Sequence, residues 1–176
     1  PVEGNGALMR TVYPGLYCKT KGAAEMQARA FAEMTHRGDK STEACVLYTR
    51  MVYLLTESVG NSQDGDVADF LHECLKGTFY DGSVEAAATY AAGGYVVDSM
   101  STAVSCLAHA QTFEEAICAA ANLGGDTDTN AAITGGLAGA WFGFSAIPAR
   151  WVDALAPGLR QDLDILAAAA ESHRNK

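Results

Sequence analysis

Gly124-Gly125-Asp126-Thr127-Asp128-Thr129-Asn130 separates two apolar, helix-patterned segments, and its reading decides how the chain is built. Glycine has no Cβ and enters backbone regions closed to other residues, so Gly124 and Gly125 let the chain turn sharply out of the first helix. The turn then presents Asp126 and Asp128, with Thr129 beside them, at the start of the second. Carboxylate and hydroxyl oxygens at this spacing are the layout of a hard-cation site, suited to magnesium, manganese or calcium over zinc. The plainer reading is that Asp126 or Asp128 caps the following helix by accepting from its free N–H groups. A calcium EF-hand loop would also place Asp126, Asp128 and Asn130 at its first, third and fifth positions. That reading fails, because the sixth position is Ala131 where glycine is needed and the twelfth is Leu137 where Glu is needed.

Downstream of the motif, Ala131, Ala132, Gly135, Gly136, Ala138, Gly139 and Ala140 make a helix with almost no side-chain bulk. Each glycine costs about 1 kcal/mol relative to alanine in a helix interior, so helix propensity does not explain Gly135, Gly136 and Gly139. The expectation is close approach of a neighbouring helix, which would stiffen the floor beneath Asp126 and Asp128. Pro148 ends this segment, and Leu159 to Ala170 reads as a final helix.

Upstream, apolar residues recur at three- and four-residue intervals with no sustained alternation, which predicts an all-α, compact multi-helix bundle. Ala23 to Met34 is rich in helix formers. Thr42 to Val59 buries Val46, Met51, Val52, Leu54 and Leu55, and Val67 to Leu75 sets Val67, Phe70, Leu71 and Cys74 on one side. Ser83 caps an expected helix toward Ala92, Tyr95 to Ala110 forms another, and Thr112 with Glu115 forms a capping box. Turn clusters fall at Gly60 to Gly65 and Gly77 to Gly82.

The chain has 176 residues, 49% of them hydrophobic, which is enough for one compact domain over residues 1–176. A net charge of -9 opposes a nucleic-acid-binding surface. An anionic ligand must therefore be held by local groups, not by the overall field. Cys18, Cys45, Cys74, Cys106 and Cys118 form no C-x-x-C pair, and their odd number fits a reducing, cytoplasmic setting. Cys45, Cys74, Cys106 and Cys118 read as small buried hydrophobes without a catalytic part. No apolar run is long enough to span a bilayer. Trp141, Phe142 and Phe144 read as packing residues, His72 and His109 as surface or core residues, and His173 as part of a polar tail.

The motif extended through Gly124 to Ala140 resembles the signature of the ADP-ribosylglycohydrolase family, hydrolases that remove ADP-ribose from proteins or small molecules. Gly4-Asn5-Gly6-Ala7-Leu8-Met9-Arg10 resembles that family's G-N-G-x-x-M-R loop, and Thr35-His36 its T-H pair. Gly93-Gly94-Tyr95-Val96-Val97-Asp98 resembles its G-Y-V segment, as found in dinitrogenase reductase-activating glycohydrolases. An early G-D-x-x-G segment and a T-D-D triplet, which in the family supply other metal ligands, do not occur. The chain therefore resembles the C-terminal portion of such a hydrolase.

The resemblance implies that Asp126, Asp128 and Thr129 hold part of a two-magnesium centre, with manganese as a substitute. It also implies that Asn5, Gly6, His36, Gly94 and Tyr95 contact the substrate, His36 near the adenosine ribose. Gly4 and Gly6 would let backbone N–H groups approach a diphosphate, with Asn5 as a side-chain donor. Apart from the resemblance, a G-N-G is an ordinary turn, a His ending a helix answers the helix dipole, and Tyr95 is equally a core aromatic. Arg10 reads as a phosphate contact or a salt bridge and stays outside the site. The implied activity is metal-dependent hydrolysis of the glycosidic bond between ADP-ribose and a protein side chain, arginine by subfamily likeness. The acid or base would lie in the absent N-terminal part, supplied by a complementary chain. The alternative is a catalytically incomplete ADP-ribose-binding or protein-interaction domain.

Overall fold

The computed structural model describes residues 3–57, 65–86 and 93–174. Among them the helices are α1 (Val12–Tyr17), α2 (Lys21–Glu33), α3 (Asp39–Glu57), α4 (Val67–Leu75), α5 (Val96–Ala108), α6 (Phe113–Asn122), α7 (Thr127–Phe142), α8 (Ala149–Asp153) and α9 (Pro157–Arg174). Short 3-10 turns lie at Leu8–Arg10 and Phe144–Ala146, and no strand occurs among the described residues. The all-α expectation holds. The only extended pairing described is an isolated antiparallel bridge between Gly4 and Tyr95.

Local chemistry accounts for the helix starts. Thr20 accepts from Ala23 N at 3.2 Å, Asp66 from Ala68 N at 2.9 Å, and Thr112 from Glu115 N at 3.1 Å. Glu115 reaches back to the Gln111 N–H at 2.8 Å, one residue earlier than in a standard capping box. Ser83 does not start a helix. Residues 83–86 form turns, and the Ser83 hydroxyl bonds that of Ser101 at 3.0 Å, so a tertiary partner replaces the cap. The rest of the expected helix toward Ala92 lies outside the described residues, as do positions 58–64.

Helices α3, α5 and α7 pack on one another at the centre, α1 and α2 lie against α3, and α6 closes over α5 and α7. Met51, Val52, Met100, Val104, Leu107, Ile133 and Leu137 fill the space between them, fully buried. The small residues of α7 meet the close approach expected of them, most sharply at Gly136. A Cβ there would stand 2.0 Å from the phenolic oxygen of Tyr48, whose hydroxyl donates to Ile133 O at 2.8 Å. At Gly135 a Cβ would come 3.3 Å from Ile117 Cδ1. Tyr48 from α3 is thus pressed into the flank of α7, and burial pushes its phenol well above the ordinary pKa.

Several side chains sit elsewhere than their sequence pattern suggests. Val46, Leu54, Phe70 and Cys74 are only half-buried, at the margin of their helices' apolar faces, and Cys118 is exposed, on the side of α6 away from the buried Phe113, Ala116 and Ala120. Trp141 packs against Phe70 with centroids 6.3 Å apart, whereas Phe144, in the turn after α7, stands out in solvent. His173 is no loose tail residue: its ring stacks on Tyr17 at 4.0 Å within the last turn of α9. His72 pairs with Glu85 at 3.3 Å.

Candidate functional site

The turn before α7 has the predicted backbone. Gly124 and Gly125 adopt φ of 79° and 67°, left-handed values that strain any residue with a Cβ. Asp126 follows at the N-cap position of α7, yet its side chain makes no capping hydrogen bond. Its Oδ2 accepts instead from Asn5 Nδ2 at 2.7 Å. Hydrogen bonds from Asn5 first, then from Thr129, hold the Asp126 carboxyl below the usual carboxylate range, so it is ionised. Asp128 follows two residues on, in the first turn of α7. The three oxygen donors singled out in the sequence therefore converge within one helical turn.

Asn5 comes to this point from a segment 121 residues away. It is buried, its backbone N–H donates to Gly94 O at 2.9 Å, and Val96 N donates to Glu3 O at 2.9 Å. Those two bonds pin the G-N-G loop to the start of α5. Asn5 Nδ2 also donates to Ser99 Oγ at 2.9 Å, so both amide hydrogens and the backbone N–H are engaged within the protein. Asn5 thereby fixes Asp126, and hydrogen bonds to a charged acceptor contribute about 1.5–3 kcal/mol each. Gly94 borders the same carboxylate: a Cβ there would lie 3.6 Å from Asp126 Oδ2 and 4.0 Å from Asn5 Oδ1.

His36 lies on the other side of the loop. Its ring is half-buried, and a Cβ at Gly4 would come 3.4 Å from its Nε2, one at Gly6 3.3 Å from its Cε1. The two glycines therefore make room for this imidazole. Tyr95 is no core aromatic: it is 39% exposed, and its hydroxyl accepts from Lys40 Nζ at 2.9 Å. Lys40 also stands 4.7 Å from the centroid of the exposed Phe79 ring.

The predicted residues Asn5, Gly94, Asp126, Asp128 and Thr129 thus form one cluster, with Gly6 and His36 beside it and Tyr95 next to Gly94 at its edge. Sequence reading missed Ser99, which carries no local signal, and Lys40 and Phe79, which reach Tyr95 only through the fold. It also set Arg10 aside; the structure joins Arg10 to Thr35 and, through it, to His36, and among the described residues Arg10 forms no ion pair with a carboxylate.

The donors around Asp126 suit a hard divalent cation in kind, being two carboxylates and a hydroxyl. They fall short in number, since magnesium takes about six oxygen ligands. Among the described residues no group of three or more His, Cys, Asp or Glu gathers to hold a metal ion.

Comparison with known proteins identifies the family to which this fold belongs. The ADP-ribosylglycohydrolase family model matches residues 1–176, and the chain belongs to that family. An ADP-ribosyl-[dinitrogen reductase] glycohydrolase of Rhodospirillum rubrum is 31% identical over 176 residues, covering 95% of this chain and 57% of that protein. The ADP-ribosylarginine hydrolase Tri1 of Serratia proteamaculans (strain 568) is 47% identical over 62 residues, 35% of this chain and 17% of that protein. A solved ADP-ribosylglycohydrolase-related protein complex superposes with a TM-score of 0.84 at 30% identity, over 98% of this chain and 61% of the other. The chain spans little more than half the length of the first of these relatives.

Proposed function

We propose that this chain forms the ligand-orienting portion of a hydrolase that cleaves the glycosidic bond between ADP-ribose and a protein side chain, arginine in particular. The observation that carries the reading is the junction of Asn5, Gly94, Ser99 and Asp126, which brings three distant segments onto one ionised carboxylate. Similarity to an ADP-ribosylarginine hydrolase and to a dinitrogen reductase glycohydrolase supports the substrate class.

Cleavage at the anomeric carbon of ribose passes through an oxocarbenium-like transition state, so the site must orient the sugar and control charge. Asp126, Asp128 and Thr129 would hold magnesium, or manganese in its place; when bound, such a cation orders ribose hydroxyls and water as a Lewis acid. Asn5 keeps the Asp126 carboxylate aimed, and Gly94 leaves its approach open. His36 and Gly6 line the loop side, while Tyr95 with Lys40 borders the entrance. The remaining ligands and the acid or base come from a complementary N-terminal segment. All five cysteines are free, which supports a reducing compartment such as the cytoplasm.

With the complementary N-terminal segment present, Asp126→Ala is expected to lower magnesium-dependent release of ADP-ribose from ADP-ribosylated arginine by about 100-fold or more, with the helical circular dichroism unchanged. Full activity in this variant at low magnesium would remove the metal assignment. A second reading rests on the shortage of ligands among the described residues: the chain alone binds ADP-ribose without turnover. Calorimetric binding of ADP-ribose by the chain, with no product formed under the same conditions, selects it.

A further inference from the structure

Arg10, Thr35 and His36 form a hydrogen-bonded chain on the flank of the G-N-G loop. Arg10 donates to Thr35 Oγ1 at 2.5 Å and to Phe31 O at 2.8 Å, and Thr35 Oγ1 lies 2.7 Å from His36 Nδ1. We propose that Arg10 and Thr35 are positioning residues that hold the His36 imidazole in its Nε2–H form, so that the loop side of the site presents a ring N–H to an oxygen of the bound ligand. The ligand half of this statement rests on the proposed function; the tautomer half does not.

The assignment follows from the donor and acceptor inventory. A guanidinium has only donors, so Thr35 Oγ1 must accept from Arg10. The threonine hydroxyl has one proton, and His36 Nδ1 is the acceptor within reach. Were Nδ1 protonated instead, Thr35 Oγ1 would face two donors and its own proton would need a further partner. The guanidinium beside it also polarises the Thr35 O–H and strengthens its donation. In a neutral imidazole an accepting Nδ1 leaves the proton on Nε2. That nitrogen faces the loop, 3.4 Å from where a Gly4 Cβ would stand. Main-chain bonds at the end of α2 fix the backbone of the pair, since Thr35 N and His36 N both donate to Ala32 O, at 3.2 and 2.7 Å. The Phe31 carbonyl holds the guanidinium in place. Arg10 therefore acts through two other residues.

The test is long-range proton–nitrogen correlation of the histidine rings in the uniformly nitrogen-15-labelled chain, near pH 8.5, about two units above the ordinary histidine pKa. His36→Gln assigns the signals. The wild-type chain is expected to show His36 as Nε2–H alone, Thr35→Val a mixture of both tautomers, and Thr35→Ser the wild-type pattern. Arg10→Met should shift His36 partway toward the mixture. Nδ1–H in the wild type, or no change in Thr35→Val, overturns the proposal. Titration with ADP-ribose should then show about tenfold weaker binding for Thr35→Val, with Thr35→Ser within about twofold of wild type. Equal losses in both variants also overturn it. A wild-type chain that shows the expected tautomer and does not bind ADP-ribose supports the tautomer half of the proposal and overturns its ligand half.

Discussion

Helices α7 and α9 have similar lengths, 16 and 18 residues, and both carry apolar side chains, yet they stand in opposite relations to the rest of the molecule. Helix α7 is apolar on most of its circumference and meets α3, α5 and α6. Helix α9 has no buried residue: Leu159, Leu163, Ile165 and Leu166 are all about half exposed. It is tied down by its last turn, where Arg174 donates to Gly15 O and Leu16 O at 3.3 Å and to Thr56 Oγ1 at 2.8 Å, and pairs with Glu57. The lesson is that apolar content makes a helix buriable, while burial itself depends on which surfaces the fold brings against it. The site is built on the buried helix, whose N-cap is Asp126 and whose first turn carries Asp128 and Thr129, at the edge of the molecule's centre.

Mutations can break or sharpen this contrast. The largest effect is expected from Gly136→Ala, because the new methyl meets the Tyr48 hydroxyl at an impossible distance. A loss of about 3 kcal/mol in chemical denaturation is expected. Tyr48→Phe alone should cost about 1 kcal/mol, and the double variant should lose clearly less than the sum, since removing the hydroxyl removes the clash. Strict additivity would show that Tyr48 does not press on α7.

Leu137→Ala in α7 should cost about 3 kcal/mol, against less than about 0.5 kcal/mol for Leu163→Ala in α9. Equal costs would mean that α9 is covered in solution. Arg174→Ala should cost about 1.5 kcal/mol and speed amide hydrogen exchange along α9, leaving α7 protected. Uniform acceleration in both helices would tie α9 to the global unfolding unit.

The smallest effect is chemical. Burial pushes the Cys45 and Cys106 thiols up to about 11, while Cys118 is exposed. The thiolate is the reactive form, so at pH 8 a maleimide should modify Cys118 first. Labelling of Cys45 and Cys106 in the native chain should rise only as the pH approaches 11. Early modification of Cys45 at pH 8 would show that α3 opens.

Much of the fold was legible because local chemistry marks it. The Val67–Leu75 helix starts and stops where its apolar spacing predicts, and the positive φ of Gly124 and Gly125 follows from their place between two helices. The oxygen donors of the Asp motif were legible for the same reason, since their spacing lies within one turn. The segment after Ser83 misled because a capping residue can be claimed by a tertiary partner, here Ser101. Phe144 misled because an aromatic pattern says nothing about where a turn points it.

Alone, the amino-acid sequence determined the all-α class, the approximate extent of the longer helices and the glycine turn that opens α7, because each depends on interactions within a few residues. Tertiary structure decided that Asn5 clamps Asp126, that Arg10 and Thr35 hold His36 beside the loop, that Tyr48 requires a glycine at 136, and that α9 lies open. Those facts join segments far apart in the chain, and no local pattern encodes which distant surfaces will meet.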